Sequence, residues 1–410
     1  MRGNINERYE YQQDIINYLT KHDGYIERKD TNFDILHAMD PELLMRFLNK
    51  TQPNEMAALK KMYKDDLRET IVNSINSFAI SKNGSILYLL KHGIEIANHK
   101  LTLLYEKPAT NFNPELTKKY ESNIFSVMQE VHYIHKESDD DKNKQRVDLV
   151  LFVNGIAIIS IELKSNSQGQ NYEDAIEQYR KDRDPKARLF LFKAGCLVNF
   201  AMDCEEVYMT TKLDKEATFF MPFNKGKDEG VFSGAGNPIL KDDYDVSYMW
   251  KDIFTKDTLI ELITKFIFIE KKESKDEVTG KKKVSERIIF PRYHQLDALR
   301  KIIADLKINH ADQNYLIEHS AGSGKTNTIA WLAHRLASLH DNDDQQIFDN
   351  IIIMTDRVVV DRQLQKAIMG LEHRSGLIQV MNDKCTSADL KYALESNTKI
   401  IVTTIQKFPY

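Results

Sequence analysis

Asp148, Glu162 and Lys164 lie within one nineteen-residue stretch, Arg146 to Lys164 (RVDLVLFVNGIAIISIELK), on either side of Asn154-Gly155. Two carboxylates at sheet-neighbour distance can share a hard divalent cation through oxygen ligands. An ammonium beside them can orient or deprotonate a water, or offset charge on a phosphate. Together these are the parts that metal-assisted phosphodiester hydrolysis needs. A second stretch, His319 to Thr326 (HSAGSGKT), departs only at its first residue from the phosphate-loop pattern G-x-x-x-x-G-K-[ST]. Gly322 and Gly324 let the backbone of Gly322, Ser323, Gly324 and Lys325 wrap a phosphate. Lys325 reaches the β/γ-phosphates of ATP and Thr326 can ligate its Mg²⁺. The start of the following helix adds its partial positive charge.

The carboxylates work together only if one sheet face carries both. Asn154-Gly155 between two apolar runs predicts a β-hairpin. A two-residue loop pairs Val153 with Ile156 and sends Asp148 and Glu162 to opposite faces. A three-residue loop with Gly155 in the left-handed region pairs Phe152 with Ile156. Asp148, Ser160, Glu162 and Lys164 then share a face, with Asp148 opposite Ser160 and diagonal to Glu162, roughly 7 Å away. The reading adopted is the three-residue loop. The odd-numbered residues, Val147 to Val153 and Ala157 to Leu163, are all apolar, so that face is expected to be buried against helices.

An Asp, then a strand, then Glu-x-Lys resembles the PD-(D/E)xK nucleases, with Val147 where that family often has Pro. The resemblance implies Mg²⁺ held by Asp148 and Glu162, with Lys164 assisting the attacking water. Related nucleases carry a glutamine, and a tyrosine four residues later, on the next helix. In AIEQYRKDRDP the glutamine is Gln178, but Tyr179 is adjacent to it; Gln168 and Tyr172 have the literal spacing nearer the strand. Gln178 is taken as the supporting residue.

Around the phosphate loop, YLI is expected to be the preceding strand and NTIAWLAHRLASLH the following helix. PRYHQ lies about thirty residues upstream of Lys325. Helicase-like ATPases often place a glutamine there to read the adenine edge and an aromatic to stack on it, which makes Gln295 and Tyr293 the candidates. Pro291 there also suits a helix start. Downstream, IIIMTDRVVVDRQL and IIVTTIQKF resemble superfamily 2 helicase motifs Ia and Ib, whose loops hold the DNA backbone. Thr355, Arg357, Thr403, Thr404 and Gln406 are their candidate phosphate contacts, although Asp356-Arg357 equally suits a local ion pair.

The 410 residues suit two to three domains, and 42% hydrophobic with 29% charged residues is a globular balance. A net charge of −4 excludes binding nucleic acid by bulk charge, so any such site must be local. No apolar run reaches the roughly 18 residues of a membrane span, and the charged start lacks a signal-peptide core. Cys196, Cys204 and Cys385 are odd in number and scattered, which fits neither a disulfide framework nor a zinc site and suits a reducing cytoplasm. Arg8–Thr20 and Asn54–Phe78 read as helices, and Leu87–Glu106 as strands with turns. Glu137–Lys144 reads as an exposed loop. Lys271–Arg287 holds eleven charged residues in seventeen and reads as a solvated linker or hairpin tip. The fold class is therefore α/β. A PD-(D/E)xK nuclease-like domain with an N-terminal helical region covers 1–265, and a charged linker covers 266–290. The first, truncated RecA-like parallel-sheet domain of superfamily 2 type covers 291–410.

A metal nuclease followed by a helicase-type ATPase resembles the restriction (motor) subunit of type I restriction-modification enzymes, the HsdR family. The likeness includes YEYQQDIINYLTKHDGYIER, GSILYLLKHG, VDLVLFVNGIAIISIELK, FPRYHQLDALRKI, HSAGSGKT and TDRVVVDRQL. His319 in place of the first glycine belongs to it. The resemblance implies Mg²⁺-dependent cleavage of double-stranded DNA, coupled to ATP-driven translocation past modification (methyltransferase) and specificity subunits. No D-E-x-H follows the phosphate loop and no second RecA-like lobe follows Tyr410. The expectation is an amino-terminal fragment with little ATP turnover of its own. Two other readings stay open: a repair helicase–nuclease, and a non-catalytic DNA-binding or assembly module.

Overall fold

The computed structural model describes residues 8–110, 112–134, 145–165, 169–227, 234–275, 282–356, 358–371, 376–381, 384–396 and 398–408. Glu137–Lys144, Gln168 and Arg357 lie outside the described residues. The chain forms two compact units. The first comprises 1–107, 114–267 and 287–290; the second comprises 108–113, 268–286 and 291–410. Among the described residues, no helix is long and apolar enough to cross a membrane.

In the first unit, α1 (Arg8–His22) leads to β1 (Ile26–Arg28), followed by α2 (Pro41–Thr51), α3 (Pro53–Tyr63), α4 (Leu67–Ile80) and α5 (Ile86–His92). The single helix expected over Asn54–Phe78 is broken at Lys64, whose φ is +49°. The segment from Leu87, read as strand, begins inside α5. Ser85 caps that helix by accepting from the Tyr88 amide, and Gly93, at φ +75°, ends it. Only then does the chain turn back as the ribbon β2 (Ile94–Ile96) and β3 (His99–Leu101). After α6 (Pro114–Glu121) come β4 (Phe125–His132), β5 (Arg146–Val153), β6 (Ile156–Leu163), α7 (Tyr172–Lys181), β7 (Val198–Met202), β8 (Val207–Thr210), β9 (Met221–Pro222) and α8 (Lys256–Glu261). The seven-stranded sheet has the order β1-β4-β5-β6-β7-β8-β9. It is mixed: β1 runs parallel to β4 and β6 to β7, and the other neighbours are antiparallel.

The β5–β6 hairpin sits at the centre of this sheet, and its register corrects the expected one. The loop has two residues: Val153 pairs with Ile156, and Asn154 and Gly155 take φ of +51° and +80°. Asn-Gly is the pair that a type I′ turn demands. Asn154 is further pinned, accepting from the Ile124 amide at 2.7 Å and donating to the Leu103 carbonyl at 2.8 Å. The change of face comes instead from a β-bulge. Phe152 pairs with Ala157 but Leu151 pairs with Ile159, leaving Ile158 as the extra residue on β6. The Ile158 carbonyl accepts from the Leu197 amide at 2.8 Å. Beyond the bulge Val150 faces Ser160 and Leu149 faces Ile161, so the next position sets Asp148 opposite Glu162 and not diagonal to it. Both faces of the hairpin are buried, one of them under α7, where Val150, Phe152 and Ala157 pack with Ala175, Ile176 and Tyr179.

The second unit opens with a ribbon, β10 (Phe268–Lys275) and β11 (Lys282–Ile289), whose last residues belong to the first unit. The run read as a solvated linker or hairpin tip is paired strand on both sides of 276–281. Opposite charges meet across it, Lys271 with Glu286 at 3.4 Å and Lys282 with Glu273 at 3.8 Å. There follow α9 (Tyr293–Asn309), α10 (Lys325–Leu336), β12 (Ile351–Thr355), α11 (Val358–Gly370), β13 (Ile378–Val380), α12 (Ser387–Glu395) and β14 (Ile400–Thr404). The three strands form a parallel sheet in the order β12-β14-β13. The strand expected over YLI is not formed: Tyr315 and Leu316 are exposed, Leu316 at 93%. Among the described residues no strand pairs with it, and an unpaired apolar strand gains nothing by extending.

Candidate active site and phosphate loop

Asp148, Glu162 and Lys164 occupy one end of the central hairpin, each less than a tenth exposed. Asp148 accepts from the Leu163 amide through Oδ2 at 2.7 Å, which locks its carboxylate against the opposite strand. Lys164 donates through Nζ to Gln178 Oε1 at 2.5 Å, so the helix after the lysine reaches the site through that glutamine. Tyr179 points elsewhere. It is fully buried and its hydroxyl meets Ser160 Oγ at 2.8 Å, and Ser160 Oγ donates to Asn199 Oδ1 at 2.7 Å. The glutamine thus faces the charged cluster while the tyrosine braces the sheet behind it.

Glu162 has a partner that the sequence reading missed. Arg183 Nε donates to Glu162 Oε1 at 2.6 Å, and both side chains are 0% exposed. A second guanidinium nitrogen donates to the Arg146 carbonyl at 2.6 Å, and the group lies 5.7 Å from the centre of the Tyr133 ring. Arg183 follows the last turn of α7 and lies five residues past Gln178, so helical periodicity does not bring the two to one face. The available signal was chemical: two buried carboxylates need more positive charge than one lysine provides. Burial pushes the Glu162 carboxyl up to about 7, and the neighbouring Asp148 adds to this, while Arg183 and Lys164 pull it back. Burial works against the charge of Arg183, but Glu162 beside it holds the guanidinium firmly protonated.

A third carboxylate is turned aside. In the β4–β5 ladder Gln129 faces Leu149 and Val131 faces Val147, so Glu130 occupies the position beside Asp148. Its φ is +54°, rare for a residue other than glycine, and its carboxylate meets Arg146 at 3.3 Å. Among the described residues no group of three or more His, Cys, Asp or Glu is placed to hold a metal. Two carboxylates are what Mg²⁺ commonly takes from protein when water and substrate phosphate complete its shell. Glu162 Oε2 is buried and has no hydrogen-bond partner, so it is the oxygen that can receive a cation.

In the second unit, α10 begins at Lys325, directly after Gly324 in the left-handed region at φ +88°. Gly322 has φ +75°. The segment PRYHQ is tied to this loop carbonyl by carbonyl. Arg292 donates to the Gly322 carbonyl at 3.0 Å, His294 Nε2 to that of Ser323 at 3.1 Å, and Gln295 Nε2 to that of Gly324 at 3.0 Å. Gln295 also meets Thr328 Oγ1, and its Oε1 accepts from the Arg292 amide at 2.9 Å. These contacts use the polar atoms of Gln295, which is 3% exposed, and they make it a latch on the loop. Tyr293 is half-buried at the first turn of α9. Lys325 Nζ donates to the carbonyls of His319 and Ser320, at 2.6 and 3.0 Å. Thr326 is half-buried in the first turn of α10.

The candidate DNA contacts fare unequally. Thr403 is 0% exposed with its hydroxyl against the Thr404 carbonyl, and Thr355 and Thr404 are buried at the ends of their strands. Burial keeps these hydroxyls from a phosphate backbone in this arrangement. Gln406 is exposed and donates to the Asp356 carbonyl at 3.5 Å, joining the segments after β12 and β14.

Residues 5–218 match the family model described as type I restriction enzyme R protein N terminus, and residues 294–410 match that of the SWI2/SNF2 ATPase. Two curated relatives come from Methanocaldococcus jannaschii. The putative type I restriction enzyme MjaVIIIP endonuclease subunit is 30% identical over 76% of this chain and 27% of that protein. The putative MjaVIIP endonuclease subunit is 26% identical over 78% of this chain and 28% of that protein. The chain thus spans little more than a quarter of the length of the curated relatives it matches. With an ATPase-like second region, the chain belongs to the R-protein (HsdR) family of type I restriction enzymes.

Proposed function

We propose that the first unit is a Mg²⁺-dependent DNA-cleaving centre of PD-(D/E)xK type. Asp148 and Glu162 hold the cation, which supplies Lewis-acid activation of a scissile phosphate and of water. Lys164, held by Gln178, stands beside the carboxylates to orient the attacking water and to offset charge on the phosphate. Arg183 offsets part of the burial penalty on Glu162 and so favours the ionised form that can act as a ligand. The observation that carries this reading is the bulged register, which sets Asp148 opposite Glu162 at the end of the central hairpin while Glu162 Oε2 is left without a partner.

The second unit binds ATP·Mg²⁺ through the Gly322–Lys325 backbone and Thr326. Arg292, His294 and Gln295 hold the loop's carbonyls and thereby leave its amides to the phosphates. Within the longer protein this chain represents, the two activities serve ATP-driven movement on, and cleavage of, double-stranded DNA. The partners are the methyltransferase and specificity subunits of the same system. The test is plasmid cleavage by the full-length protein with those subunits. Lys164→Ala is expected to abolish cleavage and spare ATP hydrolysis, and unchanged cleavage would refute the assignment.

A further inference from the structure

Glu162 is gripped by one of its two oxygens. Arg183 approaches through Nε alone, at 2.6 Å from Oε1, and not as a two-pronged fork. Its guanidinium is committed on other sides as well, to the Arg146 carbonyl and against the face of Tyr133. The Tyr133 hydroxyl in turn donates to the Asp182 carbonyl at 2.9 Å, which ties the ring to the residue before the arginine. Arg183 is therefore fixed, and with it the orientation of the carboxylate it holds. Glu162 can offer Oε2 to a cation without disturbing this arrangement. A cation taken by both oxygens would have to share Oε1 with the Arg183 guanidinium, whose positive charge opposes it, at a place where neither side chain is exposed.

The consequence concerns which cation fits. Ca²⁺ takes six to eight oxygens and readily uses carboxylates in two-oxygen mode, whereas Mg²⁺ demands octahedral geometry. Mn²⁺, the usual spectroscopic stand-in for Mg²⁺, suits the same octahedral oxygen sites. We propose that Arg183 is a positioning residue that restricts Glu162 to one-oxygen ligation and so makes this centre favour small octahedral divalent cations over calcium. The proposal rests on the reading of Asp148 and Glu162 as metal ligands.

Calorimetric titration of the 410-residue chain with MnCl₂ and, separately, CaCl₂ tests it. The wild type is expected to bind Mn²⁺ at least about tenfold more tightly than Ca²⁺. In Arg183→Lys and Arg183→Gln the ratio of the two affinities should narrow by about tenfold, the scale on which outer-shell partners tune metal sites, with Ca²⁺ gaining relative to Mn²⁺. A merely structural arginine would weaken both cations alike, and an unchanged ratio in the variants overturns the proposal. Should the variants fail to fold, the wild type decides: Ca²⁺ binding as tight as Mn²⁺ overturns the clamp. Absence of any uptake of either cation by the wild type sinks the metal-centre reading itself, and the clamp with it.

Discussion

As proposed centres of phosphate chemistry, the charged end of the β5–β6 hairpin and the loop before α10 are built in opposite ways. The first is made of side chains. Its carboxylates, lysine and arginine are buried, and each is oriented by a named partner: Leu163 for Asp148, Arg183 for Glu162, Gln178 for Lys164. The second is made of backbone. Gly322 and Gly324 supply the curvature, Lys325 is exposed, and the neighbouring segment contributes by occupying carbonyls. A side-chain site concentrates its function in a few atoms that tolerate no change. A backbone site spreads it over several amides and depends on conformation.

Selective loss of one chemistry gives the largest separations. Glu162→Ala or Lys164→Ala in the full-length assembly should lower DNA cleavage by about 10³-fold, as loss of a positioned charge does in catalysis, with ATP hydrolysis intact. Supercoiled-plasmid cleavage and phosphate release measure the two separately. Lys325→Ala should lower ATP hydrolysis by about 10²-fold or more, because positioning and charge neutralisation carry phosphoryl transfer, and cleavage, being coupled to ATP-driven movement, should fall with it. Loss of ATP hydrolysis in Glu162→Ala or Lys164→Ala, or cleavage that survives intact in Lys325→Ala, would dissolve the distinction.

Stability effects sharpen the same contrast. Gly155→Ala places a methyl group 2.3 Å from the Asp40 carbonyl oxygen at a residue with φ +80°. The turn is packed against α2, and the loss should be about 3 kcal/mol in urea denaturation. Gly322→Ala, at φ +75° with nothing within 4 Å, should cost only about 1 kcal/mol, from backbone strain alone. Equal costs would mean that the phosphate loop is packed as tightly as the hairpin turn.

The smallest effect is a slope. The Glu162 carboxyl is raised to about 7, above its ordinary range, so the folded state binds its proton more tightly than the unfolded chain does. Its contribution to stability is present below the ordinary carboxylate pKa and is lost as pH rises through about 7. Glu162→Gln should flatten that part of the stability-versus-pH curve. An unaltered slope would place the titration elsewhere.

Legibility in the sequence followed the same division. HSAGSGKT and the helix from Lys325 were readable because a backbone site is a contiguous string with glycines where φ must be positive. The strand before it was not, because a strand exists only with neighbours, and Leu316 stands exposed. Asp148, Glu162 and Lys164 were readable as a set from spacing, whereas Gln178, which meets Lys164, was picked by likeness to related nucleases. The turn that orders them was misassigned: Asn154-Gly155 makes the two-residue turn its dipeptide specifies, and the extra residue sits at Ile158. A bulge inside an apolar run leaves no local mark; the extra residue, Ile158, is recognisable only from its cross-strand pairing and from its carbonyl's bond to the Leu197 amide. Arg183 escaped the spacing rules for a related reason: its role depends on the tertiary path after α7 and on the burial of Glu162, and only the charge balance of the buried carboxylates hints at it.

Cation uptake by wild-type and Asp148→Asn chains, followed with Mn²⁺ in the absence of nucleotide, tests the central claim most directly. One bound ion in the wild type, lost in Asp148→Asn and kept in Lys325→Ala, is the predicted result. Uptake that survives Asp148→Asn, or a wild type that takes up none, would contradict it.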